Sequence, residues 1–118
     1  MTAWARAPQP IGWFPRRGEV CLIALDKERP ALIISSDAVT KYSQDVCVIP
    51  ISTAEHKQFS LRPKFDKGEA GLNFDSWLKC DQPTTVERSD VLYPPLGQLS
   101  AERLAQVETC VKAALQLK

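Results

Sequence analysis

Short apolar segments rich in Val, Ile and Leu, separated by charged or proline-containing turns, dominate the first eighty residues of this chain. Strands are predicted at 19–25, 31–36, 46–51 and 76–80, with shorter candidates at 84–86 and 90–93. Segments of this length are typical of β-strands. After Ser100, a candidate N-cap, apolar residues recur at helical spacing. The order predicts a mainly β fold: a strongly curved, mostly antiparallel sheet or partial barrel with one amphipathic C-terminal helix packed against it.

Composition narrows the class of protein. The chain has 118 residues, 44% of them hydrophobic, which suits one domain with a sizeable core. A net charge of +1 excludes the overall basicity of a non-specific nucleic-acid coat, so any RNA or DNA contact needs a local patch. No apolar run approaches transmembrane length, and residues 1–15 lack the apolar core of a secretory signal. We therefore predict a cytoplasmic location and no membrane contact.

The chain is predicted to divide into an N-terminal arm at 1–15 and a domain at 16–118. The arm is broken by prolines and carries Trp4, Trp13 and Phe14. These rings could stack on nucleic-acid bases. The alternative, which we favour, is an apolar tether laid over the edge of the core.

The four cysteines are Cys21, Cys47, Cys80 and Cys110, widely spaced and without a C-x-x-C motif. This spacing predicts free thiols in a reducing compartment, mostly buried, and argues against a disulfide framework or a zinc site. A catalytic cysteine would need a histidine or an electropositive niche nearby. Only Cys80, beside Lys79, comes close to that requirement.

Residues 79–86, with the sequence KCDQPTTV, concentrate polar chemistry at the end of a predicted strand. In a strand, Lys79 and Asp81 would point to one face while Cys80 faces the core. A cation and a carboxylate on one spot suit proton transfer at a phosphate ester. The alternative for Asp81 is a carboxylate that caps the Gln82-Pro83 turn.

A second cluster of charge lies between residues 57 and 67. Its cations are interleaved with two aromatic residues, and the set comprises Lys57, Phe59, Arg62, Lys64, Phe65 and Lys67. A cationic groove with stacking rings would show this pattern. A solvated loop whose aromatic side chains are anchored in the core would show it equally well.

Five segments resemble, in order, the blocks of the MazF/PemK (Kid-like) toxin family. They are RGEV at 17–20, RPALIIS at 29–35, VIPIST at 48–53, KCDQPTTV at 79–86 and LGQLS at 96–100, the last preceding the final helix. Together the blocks extend over about residues 16–117. One short motif alone is weak, but five in the family's order make chance an unsatisfactory explanation.

The resemblance implies an SH3-like small β-barrel with a C-terminal helix, assembled as a homodimer. It implies the toxin of a type II toxin–antitoxin pair, an endoribonuclease that needs no metal or other cofactor. Members cleave single-stranded RNA, including mRNA, at short motifs through attack of the 2′-hydroxyl, usually leaving a 2′,3′-cyclic phosphate, and so inhibit translation and growth. A cognate antitoxin blocks the RNA site, and operator DNA is bound mainly through the antitoxin complex.

The resemblance also assigns catalytic roles. Arg29, before the proline, would stabilise charge on the phosphate, and Ser52 or Thr53 would donate a hydrogen bond to it. Asp81 would accept or orient the 2′-hydroxyl proton, and Lys79 stands where some members carry arginine. The alternative for Arg29 is a surface pair within the preceding charged turn, and for the two hydroxyls it is satisfaction of a turn at the strand end.

Further residues are expected to contact RNA. They are Glu28, His56, Lys57, Arg62, Lys64, Gln82 and Thr84. His56 is the only histidine, so one subunit cannot supply a two-histidine acid–base pair; an idle, solvated side chain is its alternative. The chain departs from the family in a turn shortened to residues 26–28 and in Thr84, where many members have arginine.

These departures keep other functions open. A non-catalytic module could use the same barrel to bind an antitoxin or DNA gyrase, because a fold does not fix a function. A generic nucleic-acid-binding barrel is a third hypothesis, for which the low net charge gives little electrostatic drive.

Overall fold

The computed structural model describes residues 7–54 and 61–117. Its strands are β1 (Glu19–Ala24), β2 (Glu28–Ile33), β3 (Asp45–Ser52), β4 (Lys64–Phe65), β5 (Ser76–Leu78), β6 (Thr84–Glu87) and β7 (Gly97–Gln98). Its helices are α1 (Asp37–Tyr42) and α2 (Ala101–Leu115), and short 3₁₀ turns occur at Glu69–Gly71 and Arg88–Asp90.

The strands form one antiparallel sheet in the order β4-β5-β3-β2-β1-β7, with β6 also paired to β3. Strand β3 has β2 along one edge, and β6 and then β5 along the other. Because two different strands share that second edge, the sheet curls into a half-barrel. The predicted mainly β barrel with a C-terminal helix is therefore confirmed.

Both faces of the central strands are buried, which explains why they are nearly continuous apolar runs. One face packs beneath α2 and contains Val20, Leu32, Ile49, Ile51, Phe65, Leu72, Leu78, Cys80, Leu99 and Val107. The opposite face contains Cys21, Ile23, Ala31, Ile33, Val46, Val48, Val86 and Val91. Successive residues of a strand point to opposite faces, so each central strand contributes to both clusters.

Helix α2 begins as the sequence predicts. The Ser100 hydroxyl accepts a hydrogen bond from the Arg103 amide at 3.1 Å, satisfying one of the unpaired donors of the first turn. Val107 is fully buried against the first cluster, and Leu104 packs beside it. The helix is thus held by one apolar stripe on the sheet.

Three of the predicted strands, 31–36, 76–80 and 90–93, differ from the structure by two residues or more. Strand β2 begins at Glu28, so the turn after β1 is shorter than predicted and Pro30 pairs with Leu22 inside the sheet. The strand predicted at 76–80 ends at Leu78, where a tight turn begins. The predicted strand at 90–93 is a 3₁₀ turn followed by isolated bridges.

The described part of the N-terminal segment lies along the barrel. The Ala7 amide donates to the Tyr93 carbonyl at 3.1 Å, and the Gln9 side chain donates to the Val91 carbonyl at 2.7 Å. The Trp13 ring meets Tyr93 edge-on, with centroids 5.1 Å apart. Phe14 is buried. These contacts favour the apolar tether over base stacking for residues 7–15, while Trp4 lies outside the described residues.

Within residues 7–54 and 61–117, no helix is both long and apolar enough to cross a membrane.

Close backbone packing at β7 predicts a strong effect of one methyl group. A Cβ at Gly97 would lie 2.4 Å from the carbonyl carbon and oxygen of Ala70, a contact only a backbone shift can relieve. We expect Gly97→Ala to lower the free energy of unfolding by about 1–3 kcal/mol, the usual cost of overpacking. The exposed neighbour provides the control, since Gln98→Ala should cost less than about 0.5 kcal/mol. Equal midpoints for the two variants in urea denaturation would contradict the packing described.

Candidate functional site

A groove of about 710 Å³ opens on the sheet face opposite α2. Four of its buried lining residues, Ile23, Ala31, Val48 and Val86, belong to the second apolar cluster, and Ile51 of the first cluster lies at its margin. Its polar lining consists of Lys27, Glu28, Arg29, Ser52, Thr53, Lys79 and Thr84. The groove therefore has an apolar floor and a rim of three cations, three hydroxyls and one carboxylate.

Strand alternation explains why Arg29 and Ser52 reach the same groove. Arg29 lies on the same face of β2 as Ala31, and Ser52 lies on the same face of β3 as Pro50. Ala31 and Pro50 are paired across the two strands. Arg29 and Ser52 thus both lie two residues beyond that pair, towards the same end of the sheet.

The Arg29 side chain is 51% exposed, and its Nε lies 3.8 Å from the Asp26 carboxylate, which is itself 78% exposed. The surface pair proposed as the alternative for Arg29 is therefore present. A long and solvated contact of this kind contributes little energy. The guanidinium can consequently turn to a phosphate at small cost.

The hydroxyls of the groove have local partners. Ser52 Oγ accepts a hydrogen bond from the Ala54 amide at 3.1 Å, the turn contact expected at a strand end, and its own O–H can still donate. Thr84 Oγ1 donates to the Gln82 carbonyl at 3.0 Å. Gln82 is exposed and is not among the groove-lining residues.

Lys79 reaches the groove through β3. Its amide donates to the Pro50 carbonyl at 2.9 Å, which sets it beside a residue of the groove face. Among the described residues, no carboxylate lies within ion-pair distance of its ammonium group. Lys79 is therefore a cation of the rim.

The prediction that Lys79 and Asp81 share a strand face is wrong. The chain turns after Leu78: the Cys80 amide donates back to the Leu78 carbonyl and the Gln82 amide to the Lys79 carbonyl, each at 2.9 Å. Asp81 is not among the groove-lining residues. Only the burial of Cys80 follows the prediction, since its side chain is fully buried.

Asp81 is instead bound by Arg62. Arg62 Nε and Nη2 donate to the two carboxylate oxygens, each at 2.9 Å, in a parallel fork. The hydrogen bonds from Arg62 hold the pKa of the Asp81 carboxyl below its usual range, and the charge of Lys79 contributes least to the shift. A carboxylate held in this way is a weak proton acceptor.

Two expected RNA contacts of the 57–67 cluster lie outside the groove lining. Arg62 is engaged with Asp81, and the Lys64 ammonium lies 3.7 Å from Asp66 and 3.6 Å from Asp75. Phe65 is fully buried, in agreement with a loop anchored in the core.

Lys57 and Phe59 of that cluster, and the neighbouring His56, fall outside the described residues.

Sequence reasoning missed Lys27 and Leu25, which both line the groove. The sequence feature that could have identified them is the short turn between β1 and β2. Because only three residues separate β1 from β2, the side chains of the turn lie next to Arg29. Leu25 is 53% exposed, an apolar side chain at the rim.

The structure gives less support to a catalytic cysteine or to a metal site. Burial raises the pKa of the Cys80 thiol to about 12, so the thiolate that a catalytic cysteine needs is disfavoured. None of the four cysteines, all of them described, forms a disulfide; Cys21 is buried like Cys80, and Cys47 and Cys110 are half-buried. Across the described ranges, no three His, Cys, Asp or Glu side chains converge closely enough to hold a metal ion.

Known proteins share both sequence and fold with this chain. A curated relative described as endoribonuclease MazF9 of Mycobacterium tuberculosis is 27% identical over 115 residues, covering 86% of this chain and 97% of the relative. The structure of the M. tuberculosis toxin MazF-mt6 superposes with a TM-score of 0.74 at 28% identity, covering 85% of this chain and 98% of the toxin.

More distant structures share the fold. An endoribonuclease from a mycobacterial species, solved in complex with its cognate antitoxin, gives a TM-score of 0.76 at 22% identity over 88% of this chain and 97% of its own. A MazE–MazF structure from Deinococcus radiodurans gives 0.76 at 17% identity over 90% and 99%.

The family model that matches the chain covers residues 16–115, which include every described residue of the groove. Since this match extends over most of the chain, the protein belongs to the family of PemK-like, MazF-like toxins of type II toxin–antitoxin systems.

Proposed function

We propose that this protein is an endoribonuclease toxin that cleaves single-stranded RNA in the groove described above, without a metal ion. The observation that carries the proposal is the convergence of Arg29, Ser52 and Lys79 on one groove. The related endoribonuclease MazF9 supports the reaction class.

The groove suits a single strand with exposed bases. Its apolar floor, which includes Ile23, Val48 and Val86, can take a nucleobase, while the cations of the rim face the phosphates. Unpaired bases can enter such a groove, whereas those of a duplex are stacked and paired. RNA is distinguished from DNA by the 2′-hydroxyl, which is the nucleophile.

Cleavage forms a bond from the 2′-oxygen to phosphorus and breaks the bond from phosphorus to the 5′-oxygen, leaving a 2′,3′-cyclic phosphate. Charge that develops on the non-bridging oxygens is stabilised by the Arg29 guanidinium and by a hydrogen bond from Ser52 or Thr53. The Lys79 ammonium adds a positive charge on the other wall and can donate a proton to the leaving oxygen.

The base is the remaining requirement. Glu28 is the carboxylate among the described groove-lining residues, and it is adjacent to Arg29 on β2. We assign Glu28 as the general base that accepts the proton of the 2′-hydroxyl. Asp81 is a weaker candidate because its pKa is lowered by Arg62 and it lies outside the lining. For His56 and Lys57, RNA contact stays a prediction.

The biological setting follows from the family. Relatives of the same fold have been solved with antitoxins. We propose that this toxin acts in the cytoplasm as a homodimer that cleaves mRNA and arrests growth. A cognate antitoxin would inhibit it, and operator DNA would be bound only through the toxin–antitoxin complex.

The reaction type has a direct test. The purified protein should cut a long single-stranded RNA in buffer containing EDTA, and end-group analysis should find 2′,3′-cyclic phosphate on the upstream fragments. A DNA strand of the same sequence is the control and should stay intact. Absence of cleavage combined with gyrase-dependent growth arrest would point instead to the gyrase-binding alternative. Steeply salt-dependent binding without cleavage would indicate a generic nucleic-acid-binding barrel.

Arg29 should carry much of the phosphate stabilisation. We expect Arg29→Ala to lower kcat by about 10²–10³-fold, the usual cost of one transition-state donor. The melting temperature should be unchanged because the side chain is half exposed. Arg29→Lys should be intermediate, since it keeps the charge and loses the fork.

The matched control for this experiment is Arg16→Ala. Arg16 is an exposed arginine outside the groove lining, with its guanidinium 3.7 Å from the Phe14 ring centroid. It should keep full activity. A fully active Arg29→Ala protein would remove Arg29 from the mechanism.

Protonation of Glu28 should determine how cleavage activity falls towards acid pH. A general base must be ionised, so kcat/KM of the wild type should fall towards acid pH. Glu28→Gln should lose about 10²–10⁴-fold in kcat/KM near neutral pH and should lack that acid limb. An acid limb that persists unchanged in an active Glu28→Gln protein would assign the proton to another group.

A further inference from the structure

The Arg62–Asp81 ion pair is the most enclosed of the described ion pairs. The two side chains are 10% and 23% exposed, and both carboxylate oxygens are engaged at 2.9 Å. Bidentate pairing fixes orientation as well as distance, because two parallel hydrogen bonds remove the rotation that one would allow.

The pair joins two segments that are distant along the chain. Arg62 precedes Pro63, whose carbonyl accepts a hydrogen bond from the Leu78 amide at 3.1 Å. Asp81 belongs to the turn that follows Leu78. One backbone bond to Leu78 and one side-chain fork to Asp81 therefore fasten Arg62 and Pro63 to residues 78–82, which comprise Leu78 and this turn.

Lys79 is the groove residue within the fastened turn. On one side of it, its own amide is bound to Pro50. On the other side, Cys80 is buried in the core and Asp81 is held by Arg62. The lysine side chain is long and flexible and does not fix its own direction. The orientation of the backbone at Lys79 therefore sets the region that the ammonium group can reach.

We propose that Arg62 and Asp81 are positioning residues that hold the 78–82 turn so that the Lys79 ammonium faces the RNA phosphate. Asp81 then acts as a structural carboxylate and takes no proton during cleavage. The catalytic consequence rests on the proposed function, whereas the order of the turn does not. A misplacement of about 1 Å at a reacting centre can cost about 10²-fold in rate.

The kinetic test compares Asp81→Asn and Arg62→Ala with the wild type. Each should lower kcat by about 10–10²-fold and keep the acid limb of the pH profile. Arg62→Lys, which keeps one charged hydrogen bond, should recover part of the loss. Loss of the acid limb in Asp81→Asn would make Asp81 the base and would overturn the proposal.

The Arg103–Glu69 pair supplies the matched control. It is also a fork, with distances of 2.7 and 3.2 Å, and neither residue lines the groove. Glu69→Gln removes a comparable ion pair and should leave kcat unchanged. An equal loss of kcat in Glu69→Gln and Asp81→Asn would reduce the effect to general destabilisation and would contradict a positioning role.

A double-mutant cycle tests whether the pair acts through Lys79. If it does, Arg62→Ala should cost less than about twofold in a Lys79→Ala background, because the residue it positions is already absent. A full 10–10²-fold loss in that background would show that Arg62 acts on something else.

Hydrogen exchange separates this proposal from the proposed function. In Arg62→Ala, the amides of Lys79 and Gln82 should exchange at least about tenfold faster, while the Ile49 amide in β3 should be unchanged. Unchanged exchange at both turn amides would refute the positioning role even in an active enzyme. Faster exchange in a protein that cleaves no RNA would support the ordering of the turn while the nuclease assignment fails.

Discussion

Strand β3 is the element on which the rest of the structure depends, because β2, β6 and the turn that carries Lys79 are all hydrogen-bonded to it. Val48 pairs with Thr84 of β6, and Pro50 pairs with Ala31 of β2. Beyond those pairs, the Pro50 carbonyl accepts the Lys79 amide, and the strand itself ends in Ser52. A shift of β3 by one residue would turn its apolar side chains away from both clusters and its groove residues away from the groove.

Burial on both sides enforces this register. Ile49 and Ile51 face the cluster beneath α2, whereas Val46 and Val48 face the opposite one. A change of pairing register is tolerated less readily by a strand whose two faces are both buried than by one with a solvent-exposed face. The polar ends of β2 and β3 can therefore carry functional side chains, since their backbones are fixed by apolar residues a few positions away.

Much of the fold could be predicted from the sequence because it follows from local patterns. Alternation and length identify the central strands, and Ser100 marks the start of α2. Arg29 and Ser52 could be identified from motifs and are now found on one groove because each lies at a strand position that alternation determines.

The errors arise where structure depends on contacts distant in sequence or on the exact end of a strand. The pattern through Cys80 looks like continued strand, yet the chain turns after Leu78, so the two-residue spacing of Lys79 and Asp81 loses its meaning. Nothing local indicates that Arg62, 19 residues away, takes Asp81 as its partner. Such a pair can be recognised only once the loop and the turn are placed in three dimensions.

The groove also reconciles a nearly neutral chain with the polyanionic substrate that we propose for it. Three cations, Lys27, Arg29 and Lys79, share the rim with the carboxylate of Glu28, although the whole chain carries only +1. Clustering these charges along one groove concentrates positive potential where a bound phosphate would lie. Binding of the proposed RNA can then depend on the positions of a few charged side chains and need not depend on the net charge of the chain. Under that condition the orientation of Lys79 matters. The enclosed Arg62–Asp81 pair lies outside the groove lining, and the positioning role that we propose for it gives this pair a use beyond stability.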